Sequence, residues 1–122
     1  MALISVIIPV FNEEENIPAL YVKLKSIAGG SGHDFEIIFV DDCSTDRSFP
    51  LLNELSAKDR RLKVIRFSRN FGSHAACLAG LMSSKGAACA FISADMQEPP
   101  ELVNLFIEQW EKGYEVVMGV RE

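Results

Sequence analysis

The chain has 122 residues, 48% of them hydrophobic and 24% charged, with a formal net charge of −5. That length suits one domain with a packed core, and the composition excludes a disordered chain. The acidic balance argues against a general affinity for nucleic acid, and no apolar run approaches the roughly 20 residues that cross a bilayer.

In chain order, Leu3 to Val10 (LISVIIPV) is a short run rich in β-branched residues and reads as a buried strand. Ile17, Leu20, Tyr21, Leu24 and Ile27 then recur at helical spacing. Pro18 is tolerated only in a first turn, so this helix starts near Asn16, a good N-cap, and Gly29, Gly30 and Gly32 end the unit. Phe35 to Val40 is the second strand. A helix reaching about Ala57 follows, with Pro50 near its start, Ser44, Thr45 and Asp46 as candidate caps, and Leu51, Leu52 and Leu55 inward. Leu62 to Phe67 is the third strand. The next helix begins at Phe71 or Ser73 and ends at Ser83, with Ala75, Leu78, Ala79 and Met82 on its inward face. Ala87 to Ile92 is the fourth strand. Pro99 and Pro100 open a last helix with Leu102, Leu105, Phe106 and Trp110 inward, and Tyr114 to Gly119 reads as a fifth strand.

This alternation predicts an α/β fold: a mainly parallel sheet with helices on both faces. In such sheets ligands bind beyond the carboxyl ends of the strands, near a topological switch point. The loops that matter are therefore 11–15, 41–46, 68–73 and 93–98. The first holds Asn12, Glu13, Glu14 and Glu15, and the second holds Asp41, Asp42 and Asp46. Arg69 and Asn70 stand in the third; Ser93, Asp95, Gln97 and Glu98 stand in the fourth. Acids with one arginine, converging on one sheet edge, suit a polar ligand shared with a hard divalent cation. Each loop also has a plainer reading. Acids favour a helix start, aspartates cap turns, and a loop such as SRNFG is often a surface turn. Cys43, Cys77 and Cys89 form no CxxC pair and no Cys/His cluster. A structural zinc site is not expected, and the odd count points to a reducing compartment.

Four segments, ISVIIPVFNEEENI, EIIFVDDCSTDRS, SRNFGSHAACLAGL and SADMQEPPELV, occur in this order at this spacing. Together they resemble glycosyltransferase family 2, and within it the polyprenyl-phosphate glycosyltransferases of the dolichol-phosphate mannosyltransferase and bactoprenol glucosyltransferase type. The resemblance runs from Ile4 to Glu122. It implies a GT-A fold whose Rossmann-like half binds a nucleotide-diphosphate sugar, with Mg2+ or Mn2+ as cofactor. It also implies inverting transfer to a lipid-linked phosphate. Residue by residue, Pro9, Phe11, Asn12 and Glu13 match the first nucleotide-contacting loop, with Phe11 where the family often has tyrosine. Asp41 and Asp42 match acids near the base and ribose, and Arg69 and Asn70 match a loop beside the nucleotide. Ser93, Ala94 and Asp95 match the D-x-D metal motif, and Gln97 a further metal-site residue.

On this reading residues 1–122 are the nucleotide-sugar-binding N-terminal part of a longer glycosyltransferase domain. The lipid-phosphate acceptor is then held beyond residue 122, and the full protein works at the cytoplasmic face of a membrane. An unfinished sheet edge invites a homo-oligomer. Ser93 departs from the family's usual aspartate, and two readings follow. Either the cation is held by Asp95, Gln97, the diphosphate and water, or the chain is a non-catalytic nucleotide-binding pseudoenzyme with a degenerate metal motif.

Overall fold

Alternating apolar side chains on β1 (Leu3–Val10) decide how the molecule layers. The computed structural model, which describes residues 2–118, continues with α1 (Ile17–Gly30), β2 (Asp34–Asp41), α2 (Ser48–Lys58) and β3 (Leu62–Arg66). It ends with α3 (Ser73–Ser83), β4 (Ala88–Phe91) and α4 (Leu102–Glu111). The four strands form one parallel sheet in the order β3-β2-β1-β4. Ile4, Val6, Ile8 and Val10 of β1 point to one face, where α1, α2 and α4 pack through Leu20, Leu24, Leu52, Val103 and Ile107. Ile7 points to the other face, joining Ile38, Val40 and Ala76 under α3. Period-2 alternation thus feeds two cores from one strand.

The helix starts follow their local chemistry. Pro18 falls in the first turn of α1. Asn16 precedes that turn but does not cap it; its side chain donates to Glu13 Oε2 at 2.7 Å instead. Before α4, the N–H groups of Leu102 and Val103 donate to the carbonyls of Pro99 and Pro100 at 3.0 and 3.1 Å, so the two prolines build the first turn.

Three expectations are corrected. The inward face of α3 is Ala76 and Gly80, with Ala79 packed against the same core as expected, whereas Leu78 is 57% and Met82 79% exposed. The cause is close approach: a Cβ on Gly80 would lie 2.4 Å from Ile7 Cγ2, so only small residues fit against the sheet. On α4, Leu105 is exposed while Val103 and Ile107 take the core positions. Residues 114–118 form no strand, and Gly119 lies outside the described residues. Gly113 at φ 105° and the Tyr114 N–H, bonded to Gln109 O at 3.3 Å, keep the chain against the end of α4 rather than alongside β4.

A buried polar relay pins the amino-terminal edge of the sheet, and periodicity does not reveal it. Glu36, the third residue of β2, is 4% exposed. Its Oε2 accepts from Ser5 Oγ at 2.6 Å and from the Lys85 N–H at 2.7 Å, and its Oε1 pairs with Lys63. Ser5 Oγ in turn accepts the Gly86 N–H at 2.9 Å. A Cβ on Gly86 would sit 2.5 Å from that oxygen, so glycine is required there. One carboxylate therefore ties β1, β2, β3 and the turn before β4. Burial pushes the Glu36 carboxyl up, but the hydrogen bonds from Lys63, Ser5 and Lys85 together outweigh it and leave it below the usual carboxylate range.

Three non-glycine residues adopt the left-handed conformation: Asn12 at φ 52°, Cys43 at φ 59° and Met96 at φ 58°. They fall in the loops after β1, β2 and β4. Asparagine tolerates this region, whereas the other two hold strain of about 1–2 kcal/mol each.

Two measurements check these points. A depressed carboxyl stabilises the fold above its unfolded pKa and loses that contribution as pH falls through the folded value, so stability should drop below about pH 4. Glu36→Gln should flatten this acid limb in denaturant titrations at several pH values, with a loss of about 2 kcal/mol at neutral pH. Cys43→Gly should raise stability by about 0.5–1 kcal/mol, because relief of left-handed strain exceeds the entropy cost of glycine; a lowered melting temperature would contradict this.

Candidate functional site

The order β3-β2-β1-β4 puts a switch point between β1 and β4. From β1 the chain steps outward to β2 and β3, then returns across the opposite face through α3 to reach β4. The loops after β1 and β4 part there and leave a crevice at their carboxyl ends. A groove of about 1810 Å³ opens at this point. Pro9, Phe11, Glu13, Asp42, Asn70, Ser93 and Gln97 line it at the rim, and it continues down the flank of β4 to α4 and Tyr114.

The first two loops are stitched together. The N–H of Asn12 donates to Ser44 Oγ at 2.9 Å and that of Glu13 to Ser48 Oγ at 2.8 Å; the Glu14 N–H reaches Asp46 Oδ2 at 3.2 Å. In return, Asn12 Oδ1 accepts the N–H groups of Thr45 at 2.8 Å and Asp46 at 3.3 Å. Left-handed Asn12 turns its side chain across the gap, so its amide oxygen is occupied by loop–loop bonds. Burial pushes Asp46 up, but bonds from Ser48 and the Glu14 N–H hold its carboxyl below the usual range. The sequence reading found Ser44 as a cap of its own helix, and Asp46 as such a cap or as one of the acids at the ligand edge. Their partners lie on another strand's loop, some 32 residues away in the chain, and spacing carries no signal for that.

The paired aspartates divide their work. Asp41 is wholly buried; it accepts from the hydroxyl and N–H of Ser44, and Arg66 Nε lies 3.6 Å away. It stands behind the rim and supports the second loop. Asp42 reaches the groove, and its two oxygens accept the N–H groups of Phe71 at 2.7 Å and Gly72 at 3.0 Å. This fixes the third loop and the start of α3. Gly72 and Ser73 line the groove, so the start of α3 opens onto it; its first turn carries no acid of its own, and the Asp42 carboxylate sits beside its N-cap. Arg69 lies over the Phe71 ring at 4.6 Å, and Phe71 packs edge-on against Phe67.

In the fourth loop Ser93 Oγ donates to Asp95 Oδ1 at 2.6 Å, and the Gln97 N–H donates to the same oxygen at 3.1 Å. Asp95, Ser93 and Gln97 are thus gathered on one turn, with Met96 left-handed between them. Among the described residues no three acidic, histidine or cysteine side chains converge on one point. An oxygen set with one carboxylate fits Mg2+ or Mn2+ in the manner of sites that share the ion with substrate phosphates. It does not make a self-sufficient protein cage.

The uncharacterized glycosyltransferase YkcC of Bacillus subtilis (strain 168) is 46% identical over 117 residues, covering 96% of this chain and 36% of its own length. An undecaprenyl-phosphate 4-deoxy-4-formamido-L-arabinose transferase of Pseudomonas paraeruginosa is 40% identical over 98% of this chain and 36% of its own. The chain therefore spans about a third of the length of these relatives. Among solved structures, the mannosyltransferase PcManGT of Pyrobaculum calidifontis, in complex with GDP-Man and Mn2+, superposes with a TM-score of 0.76 at 18% identity. It covers 88% of this chain and 32% of its own, and shares its GT-A fold. With the family's sequence pattern matching residues 5–122, the chain belongs to glycosyl transferase family 2.

Proposed function

We propose that the protein to which this chain belongs transfers a hexose from a nucleotide-diphosphate sugar to a polyprenyl phosphate at the cytoplasmic face of a membrane, with inversion, and that residues 1–122 supply its donor-binding half. The observation that carries this reading is the shared rim: Glu13, Asp42, Asn70, Ser93 and Gln97, from loops after all four strands, line one groove at the switch point. The relative named as an undecaprenyl-phosphate sugar transferase supports the acceptor class. The GDP-Man and Mn2+ in the mannosyltransferase structure support the donor class. No helix among the described residues is long and apolar enough to cross a membrane.

In the reaction an acceptor phosphate oxygen attacks the anomeric carbon, and the bond from that carbon to the nucleotide diphosphate breaks. The acceptor is already ionised, so this half needs no general base. What it must do is hold the diphosphate as charge grows on it. The start of α3 offers backbone N–H groups and a positive dipole end. Phe11 offers a ring at the mouth of the groove, where it is exposed. Asn12 and Asp41 act from behind, by holding the first two loops in place. Asp95, Ser93 and Gln97 would hold the divalent cation, which when bound neutralises diphosphate charge as a Lewis acid.

One observation favours a second reading, a non-catalytic nucleotide-binding domain: a serine, Ser93, stands in the metal motif where the family usually has an aspartate.

Calorimetric titration with UDP and GDP, with and without Mn2+, tests the proposal. The chain should bind a nucleotide diphosphate, and Asp95→Asn should weaken Mn2+-supported binding at least about tenfold, or about 1.4 kcal/mol. Failure of every nucleotide diphosphate to bind would contradict the reading. A donor-binding half also should not turn over alone. Transfer to a polyprenyl phosphate by residues 1–122 would overturn that assignment, and Asn12→Ala should weaken nucleotide binding about tenfold without abolishing folding.

A further inference from the structure

We infer that the chain carries a second ligand site, for a phosphate dianion, at the amino-terminal edge of the sheet. It lies at the opposite end of the strands from the nucleotide groove and stands apart from the donor-binding reading. A pocket of about 360 Å³ opens there, lined by Arg60, Arg61, Lys63 and Lys85 together with Asp34 and Glu36. The four cations come from three segments, the turn between α2 and β3, β3 itself and the turn between α3 and β4. In a chain of net charge −5 this edge is a local reversal of sign.

Two of the four cations are already answered. Glu36 pairs with Lys63, and Asp59 accepts from Arg61 Nε at 3.0 Å and Nη2 at 2.8 Å. Among the described residues the side chains of Arg60 and Lys85 form no ion pair, and both residues are exposed. The backbone that carries them is fixed. The Lys85 N–H donates to buried Glu36 at 2.7 Å, the Arg61 N–H donates to Asp59 Oδ1 at 3.0 Å, and the Arg61 carbonyl accepts from Ile37 at 2.7 Å. An ammonium has three donors and a guanidinium five. Lys63 uses one on Glu36 and Arg61 two on Asp59, so both keep N–H groups for an anion that Arg60 and Lys85 attract by charge. Asp34 is the one lining group that opposes an anion without a cation of its own, so it limits affinity. A strand of eight residues sets the two edges about 25 Å apart. With the rim turned to a lipid-phosphate acceptor, the amino edge faces water, and the phosphate belongs to a soluble compound rather than a lipid headgroup. A nucleotide diphosphate carrying Mn2+ has most of its charge neutralised and is a poor ligand here.

Titration of the isotope-labelled chain with inorganic phosphate at about pH 7.5, where a phosphate is mainly dianionic, tests this through backbone amide shifts. The amides of residues 60–63 and 85–86 should move together and saturate with a Kd of about 1 mM. Arg60→Gln combined with Lys85→Gln should weaken binding at least about tenfold, and Asp34→Asn should tighten it at least about threefold. Among the described residues none of these three side chains takes part in a hydrogen bond, so the variants should fold as wild type does. Cations that serve only to offset the negative helix ends at this edge predict no response to Asp34→Asn. Amides at this edge that stay unmoved up to about 20 mM phosphate would overturn the inference. So would shifts confined to residues 71–74 at the start of α3, or equal binding by the double variant. Vesicles of phosphatidylglycerol that move these amides where free phosphate does not would overturn the soluble source. Binding of UDP or GDP with Mn2+, measured separately, decides the donor reading whichever way the phosphate titration falls.

Discussion

The site depends on the stitching of the first two rim loops. A parallel sheet delivers its strands to one edge but does not fix what the loops do beyond it. Here Asn12, in a left-handed conformation, exchanges bonds with Ser44, Thr45 and Asp46, while Glu13 and Glu14 donate backbone N–H groups to Ser48 and Asp46. Without these contacts the acids of the first loop would be solvated tails. With them, the mouth of the groove is a preformed surface, which lowers the ordering cost of binding.

Support passes outward from there. Asp41, buried and bonded to Ser44, braces the second loop from beneath. Asp42 extends the brace to the third loop through the Phe71 and Gly72 N–H groups. The strain at Cys43 and Met96 belongs to the same arrangement, since backbone held in unfavourable regions persists only where surrounding bonds over-determine it. At the opposite edge, Glu36 does for the frame what Asp42 does for the rim. One buried carboxylate is satisfied by several elements and ties strands that are distant in sequence.

Much of this was legible in the sequence. Short apolar runs gave four strands, helical spacing gave four helices, and alternation gave the parallel sheet and its functional edge. What escaped was three-dimensional in origin. The spacing Ala75–Leu78–Ala79–Met82 is a good apolar stripe, yet Gly80 seats α3 so tightly on Ile7 that Leu78 and Met82 turn outward. An apolar helix shows no polar face to orient it, so its rotation is set by packing alone. Residues 114–118 have strand-like composition but follow a left-handed Gly113, and the Tyr114 N–H is bonded back to Gln109 O of α4. In the site, motif resemblance found the right loops and could not separate residues that face the groove, such as Asp42 and Gln97, from those that brace it, such as Asn12 and Asp41.

The central claim is that four loops at one sheet edge act as a single seat for a nucleotide diphosphate. Amide hydrogen exchange with and without saturating UDP or GDP and Mn2+ tests it most directly. Protection should rise together in residues 9–15, 42–48, 69–74 and 93–98, with residues 60–63 and 85–86 at the far edge unchanged. Protection confined to one of these loops, or centred on the far edge, would contradict it.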